Sequence, residues 1–165
     1  MKDSIILTNE QINHKIKRIA YQILESNSTE KEIVLAGITG NGYILSKKIK
    51  GVLSQISDVN IQLCEVKIDK KKPRNKIVTS LNSIDYKNKS LVLVDDVLNS
   101  GTTLMYGVKH FLEVPLKRFK TAVLVNRNHK KYPIKADFKG VSLSTTLQDN
   151  ITVKFTEKTA IAYLD

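Results

Sequence analysis

Behind Thr8, apolar residues recur at helical spacing: Ile12, Ile16, Ile19, Ala20, Ile23 and Leu24 share one face. Thr8 to Gln11 has the Thr-x-x-Gln form of a capping box. Together these predict an amphipathic helix over residues 9–26. Residues 33–36 form a short apolar run, read as a buried strand, and end in the turn Gly37-Ile38-Thr39-Gly40-Asn41-Gly42. A second helix follows, with Ile44, Leu45, Ile49, Val52, Leu53 and Ile56 on one face. Residues 61–68 read as a strand. Residues 69–76 (DKKKPRNK) hold no apolar side chain apart from Pro73 and predict a mobile loop. A short strand at 77–81 and a buried strand at 91–94 come next. A Ser/Gly/Thr turn then opens a helix over about 102–113, and a strand at 121–125 follows it. The last forty residues alternate short β-like runs with polar turns.

Strands alternating with helices predict an α/β fold, a mainly parallel sheet with helices on both faces. The length of 165 residues suits one domain with one buried core, and no repeat or linker divides it. No run of 18 apolar residues is present, which excludes a transmembrane helix. The amino end has only three consecutive apolar residues and sets Asp3 beside Lys2, so no signal peptide is expected. A single cysteine, Cys64, excludes an internal disulfide and fits a reducing cytoplasm. The net charge of +11 favours polyanionic partners, nucleic acid or small phosphate-rich ligands. Of the 27 basic residues only four are arginine, and a lysine-rich solvated face gives the same balance.

The chemistry concentrates in residues 91–104, LVLVDDVLNSGTTL. Four apolar residues form a strand, and Asp95 and Asp96 are expected at its carboxyl end. A turn of glycine and small hydroxyl residues then opens a helix. Open α/β sheets bind ligands at the carboxyl ends of their strands. A helix start with free N–H groups is an anion site. Gly101 permits close backbone approach, and Ser100, Thr102 and Thr103 add hydroxyl donors. The segment therefore forms a cradle for one phosphate monoester, with two acids placed to accept hydrogen bonds from a sugar diol. A ribose 5-phosphate satisfies both.

This segment resembles the signature of type I phosphoribosyltransferases, which bind 5-phosphoribosyl-1-pyrophosphate (PRPP). A wider resemblance covers most of the chain. Arg18-Ile19-Ala20, Leu35-Ala36-Gly37-Ile38, Leu93 to Leu98, Ala122 to Val125 and the string RNHKKYPIKADFKG from Arg127 to Gly140 look like one bifunctional family. That family pairs pyrimidine-operon attenuation with uracil phosphoribosyltransferase activity. The resemblance implies a three-layer Rossmann-like fold with a small C-terminal hood, and transfer of phosphoribosyl from PRPP to a nucleobase, uracil first, with release of pyrophosphate. It implies Mg²⁺ held mainly by PRPP, with Asp95 or Asp96 as the protein-side candidates. It also implies a homodimer or higher homo-oligomer.

By the same resemblance Asp95 and Asp96 hold the ribose hydroxyls, and Asn99, Ser100, Gly101, Thr102 and Thr103 hold the 5-phosphate. Thr39, Gly40, Asn41 and Gly42 form the pyrophosphate loop. Among the loop cations Lys70, Lys71, Lys72, Arg74 and Lys76, Arg74 is the first choice for the leaving group, because a guanidinium grips two phosphate oxygens at once. Phe138 is expected to stack on the base, with Arg127 and the backbone as far as Val141 reading its edge. The chain departs from the family pattern where Asn41 and Thr102 replace arginines and Asn126 replaces an acid. Asn99 stands where purine enzymes carry an Asp that handles a proton, which disfavours a purine base because an amide accepts no proton near neutral pH. Two alternatives stay open: an RNA-binding regulator of pyrimidine genes, with Lys15, Lys17, Arg18, Lys130, Lys131 and Lys135 as its basic face, and a hypoxanthine/guanine phosphoribosyltransferase. A PRPP or nucleotide binder without turnover is a third.

Overall fold

The computed structural model describes residues 4–165; the Lys2–Asp3 pair lies outside them. The order of elements is β1 (Ser4–Leu7), α1 (Asn9–Ser26), β2 (Glu32–Ile38), α2 (Asn41–Ile56), β3 (Asn60–Lys67), β4 (Val78–Thr79), α3 (Ser83–Tyr86), β5 (Ser90–Leu98), α4 (Thr102–Phe111), β6 (Arg118–Arg127), β7 (Phe138–Leu143), β8 (Ile151–Phe155) and β9 (Ala160–Leu164). Six strands form one sheet in the order β4-β3-β2-β5-β6-β7, parallel except for β4. The hood is a separate antiparallel sheet, β1-β9-β8.

The expected α/β architecture is present. Helix α1 spans the expected residues, and its start carries the capping box: the Thr8 hydroxyl accepts from Gln11 N, and Gln11 Oε1 accepts from Thr8 N. One apolar cluster joins α1 and α2 to one face of the sheet, through residues such as Ile12, Ile19, Leu45, Leu53, Val92 and Leu124. A second joins Leu104 and Phe111 of α4 and Tyr86 of α3 to the other face. The sheet is thus sandwiched in three layers. Each fully buried Ile or Leu contributes roughly 1.5–3 kcal/mol to that packing.

Four features differ from the reading of the sequence. Strand β5 continues through Leu98, so Asp95 and Asp96 lie within it, with Asp95 paired to Val123. Strand β1 was not expected; it pairs with β9, so the hood is built from both ends of the chain. The short helix α3 was also missed, because four residues carry no period. Residues 69–76 fold into a tied turn: the Asp69 carboxylate accepts from Lys71 N, Lys72 N and Asn75 Nδ2. Among the described residues no helix is long and apolar enough to cross a membrane.

The parallel strands β2 and β5 deliver two loops to the same edge of the sheet, residues 39–40 and 99–101. Helix α2 packs close to β2 and β5 at that edge. A Cβ at Gly37 would lie 2.6 Å from Tyr43 Cα and 2.8 Å from Gly42 O. Both neighbours are backbone and cannot yield without moving the helix. Gly37→Ala should therefore destabilise the fold by about 1–3 kcal/mol, read as a fall in Tm of several degrees; an unchanged Tm would contradict this packing.

Candidate active site

At the carboxyl edge of the sheet lies a cavity of about 320 Å³ lined by Asn41, Lys70, the run from Asp95 to Leu104, and Ile151, Thr152 and Val153. Its floor is the end of β5. Asp95 is 3% exposed. Its Oδ1 accepts from Asp96 N at 2.9 Å, and Asp96 Oδ1 accepts from Val97 N at 2.9 Å. Burial first, then the charge of Asp96, pushes the Asp95 carboxyl up to about 7, with Lys70 opposing. Lys70 Nζ stands 4.0 Å from Asp95 Oδ1.

The wall beyond the acids is the start of α4. Gly101 takes φ 86°, and a Cβ there would lie 2.4 Å from Ile134 Cγ2, so this position requires glycine on both counts. No side chain caps the helix. Ser100 Oγ lies 2.9 Å from Thr102 Oγ1, and the Ser100 carbonyl accepts from Lys131 N and Tyr132 N at 2.8 and 3.0 Å. The string 127–140 therefore buttresses the turn from behind. Free N–H groups, a left-handed glycine and three hydroxyls make a cradle for a doubly charged anion.

The residues around residue 40 play different parts. Gly40 has φ 90° and open space around it. Gly42 is needed for close approach instead: a Cβ would come 2.8 Å from Val94 O and 3.0 Å from Asp95 Oδ1. Asn41 Nδ2 donates to Asp96 Oδ2 at 2.9 Å and to the Val153 carbonyl at 2.8 Å, which ties the acid to the hood. Thr39 does not line the cavity: its hydroxyl donates to Val66 O at 3.1 Å.

Arg74, Phe138, Val141 and Arg127 lie differently from the site the sequence implies. Arg74 lines a separate groove against α4, and Lys70 is the loop cation in the cavity. The tied turn after Asp69 points the two in different directions. Phe138 is 8% exposed and packs into the cluster under α1, paired with Ala122, so it does not reach the cavity. Val141 packs against the same cluster and likewise does not line the cavity. Ile151, Thr152 and Val153 of β8 line the cavity instead. Their apolar-polar-apolar alternation marks a strand, but only the folding back of the hood brings it over the site. Arg127 is buried with its nitrogens engaged: Nε donates to Thr145 Oγ1 (2.9 Å), Nη1 to Asn99 Oδ1 (3.1 Å) and Nη2 to Thr146 O (3.0 Å). It clamps the turn after β5 to the loop before the hood. Asn126, also buried, donates from Nδ2 to Ser142 Oγ at 3.2 Å, and its Oδ1 has no partner.

Comparison with known proteins agrees with this geometry. Residues 3–159 match the family model described as phosphoribosyl transferase domain. The bifunctional protein PyrR of Streptococcus sanguinis is 33% identical over 162 residues, 95% of this chain and 93% of that one. Its counterpart in Streptococcus mutans is 32% identical, over 95% and 91% of the two chains. Among solved structures, a hypoxanthine-guanine phosphoribosyltransferase of Bacillus anthracis superposes with TM-score 0.76 at 19% identity, covering 98% of each chain. The hypoxanthine phosphoribosyltransferase of Trypanosoma cruzi with IMP bound gives TM-score 0.79 at 16% identity, over 99% and 94%. Matched along nearly its whole length, and carrying an acid pair beside a glycine-hydroxyl helix start, the chain belongs to the type I phosphoribosyltransferase family.

Proposed function

We propose that this phosphoribosyltransferase uses uracil as its acceptor, giving the nucleoside monophosphate and pyrophosphate. The observation that carries the transfer reading is the convergence, in one cavity, of two acids, an uncapped helix start rich in hydroxyls, and a hood strand placed to cover a ring. The pyrimidine choice rests on the full-length PyrR relatives and on Asn99, an amide held by Arg127 where a purine enzyme needs a proton acceptor.

In this reading a ring nitrogen of the base attacks the anomeric carbon. The bond from that carbon to the pyrophosphate oxygen breaks, and pyrophosphate leaves with the electron pair. The nitrogen's proton passes to water. The transition state is oxocarbenium-like, by analogy with glycoside chemistry. Asp95 and Asp96 hold the ribose hydroxyls, and the turn from Asn99 to Thr103 holds the 5-phosphate, so the sugar is fixed at both ends. Lys70 offsets the negative charge that gathers near the acids and leaving group. Ile151 and Val153 flank the base and exclude water. Mg²⁺ would neutralise the diphosphate. Among the described residues no group of three or more His, Cys, Asp or Glu could hold a metal. A lone acid pair fits an ion held mainly by the ligand's own oxygens, with Asp95 and Asp96 beside it.

A second reading, binding of pyrimidine-operon RNA, is favoured by the net charge of +11 and by the bifunctional relatives. Lys17, Lys131 and Lys135 are exposed, whereas Arg18 spends its guanidinium on the carbonyls of Lys139 and Gly140. Assembly into a homodimer belongs to the same proposal.

The test is turnover with PRPP, Mg²⁺ and a panel of uracil, orotate, hypoxanthine, guanine, xanthine and adenine. Uracil should react, and the double change Asp95→Asn with Asp96→Asn should lower kcat/KM by roughly 10²–10³-fold. Turnover with a purine alone would refute the pyrimidine assignment. No turnover, with salt-sensitive binding of leader RNA, would favour the regulator.

The acids also set a pH dependence. Asp95 rises from 3.8 to about 7 on folding. A carboxyl raised in the folded state binds its proton more tightly there, so its contribution is fully favourable below pH 4 and is lost as pH rises through 7. Asp95→Asn should therefore raise Tm at pH 8 by about 5 °C over the parent, with the gain vanishing towards pH 4. An equal gain at both pH values would contradict the raised carboxyl.

A further inference from the structure

A second cavity, of about 450 Å³, lies between the tied turn at 69–77 and the outer side of α4. Its lining shares no residue with the catalytic cavity. Arg74 and Lys76 reach it from the turn and Lys109 from the helix. None of these three cations forms an ion pair among the described residues. Glu113 is the one carboxylate of the lining, and among the described residues it forms no ion pair. Three converging cations against one carboxylate leave the groove net positive, which raises the local concentration of anions. The rest of the wall is not that of a bare phosphate site: Tyr106 and Ile77 supply ring and aliphatic surface. His110 lines the same groove, and its Nε2 is buried without a hydrogen-bond partner.

The volume lies in the range of small-molecule sites, and the mixture of cations with an aromatic wall and a spare polar atom is what such sites require. Arg74 and Lys76 project from the turn whose backbone hydrogen-bonds to the Asp69 carboxylate. From this we propose that the groove is a second ligand site, recognising a nucleoside di- or triphosphate with its phosphates on Arg74, Lys76 and Lys109 and its ring against Tyr106. Lys70, on the same turn, faces Asp95 in the catalytic cavity, so the two sites border one structural element.

The experiment is calorimetric titration of the protein, saturated with PRPP and Mg²⁺, with ATP and in parallel with inorganic triphosphate. ATP should bind with one site per chain, and Lys76→Glu with Lys109→Glu should weaken it at least tenfold while leaving the affinity for PRPP within about twofold. Neither lysine lines the catalytic cavity. Absence of ATP binding to the PRPP-saturated protein, or equal binding by the double variant, would overturn the proposal. Triphosphate binding as tight as ATP would overturn the nucleoside part of it. The site rests on the groove alone: PRPP titrated by itself reports on the catalytic cavity. If PRPP fails to bind, the transfer reading fails, and the loss of an ATP site between parent and double variant still decides the groove.

Discussion

Two carboxylates side by side near the carboxyl end of the central strand are the constraint around which this molecule is arranged. Asp95 is almost wholly buried, and an ionised carboxyl there is costly unless something offsets it. The surrounding structure supplies partial offsets. Asp96 N donates to Asp95, Asn41 Nδ2 donates to Asp96, and Lys70 approaches from the turn. None of these is a close ion pair, so Asp95 keeps a carboxyl raised to about 7. A group held this way gains when a ligand brings hydroxyl donors, and a ribose diol brings two.

The same constraint explains the glycines and the clamps. Helix α2 comes so near the acids that Gly42 admits no side chain. Asn41, beside it, bonds both to an acid and to the hood strand, so hood and floor are joined by one amide. Arg127 makes a second join, between the phosphate turn and the loop leading to the hood. Two uncharged residues, Asn41 and Thr102, line the pocket beside the acids. The structure shows what each does here: Asn41 is a strut, and Thr102 hydrogen-bonds within the phosphate turn through Ser100.

How much of this was legible depended on whether the determinant was local. Helix α1 could be bounded because a capping box and five turns of periodicity lie within one stretch of chain. That Asp95, Asp96 and Ser100 to Thr103 line one cavity was legible because they are continuous in sequence. Strand β1 was not, because its partner β9 lies at the other end of the chain. That Lys70 and not Arg74 lines the cavity beside Asp95 is not legible in the sequence, because the direction of each cation is set by a turn folded around Asp69. The burial of Phe138 is not legible either, because an aromatic beginning a strand is as well suited to the core under α1 as to a ring. Ile151 to Val153 carry no chemical signature, and only the hood's return across the sheet gives them a place over the site.

The most direct test of the account is a crystal structure of the protein with PRPP and Mg²⁺. It should show the 5-phosphate against the backbone N–H groups and hydroxyls of Ser100 to Thr103, both ribose hydroxyls on Asp95 and Asp96, and the anomeric carbon facing the space beneath Ile151 and Val153. A phosphate seated elsewhere, or a ribose making no contact with the two acids, would contradict it.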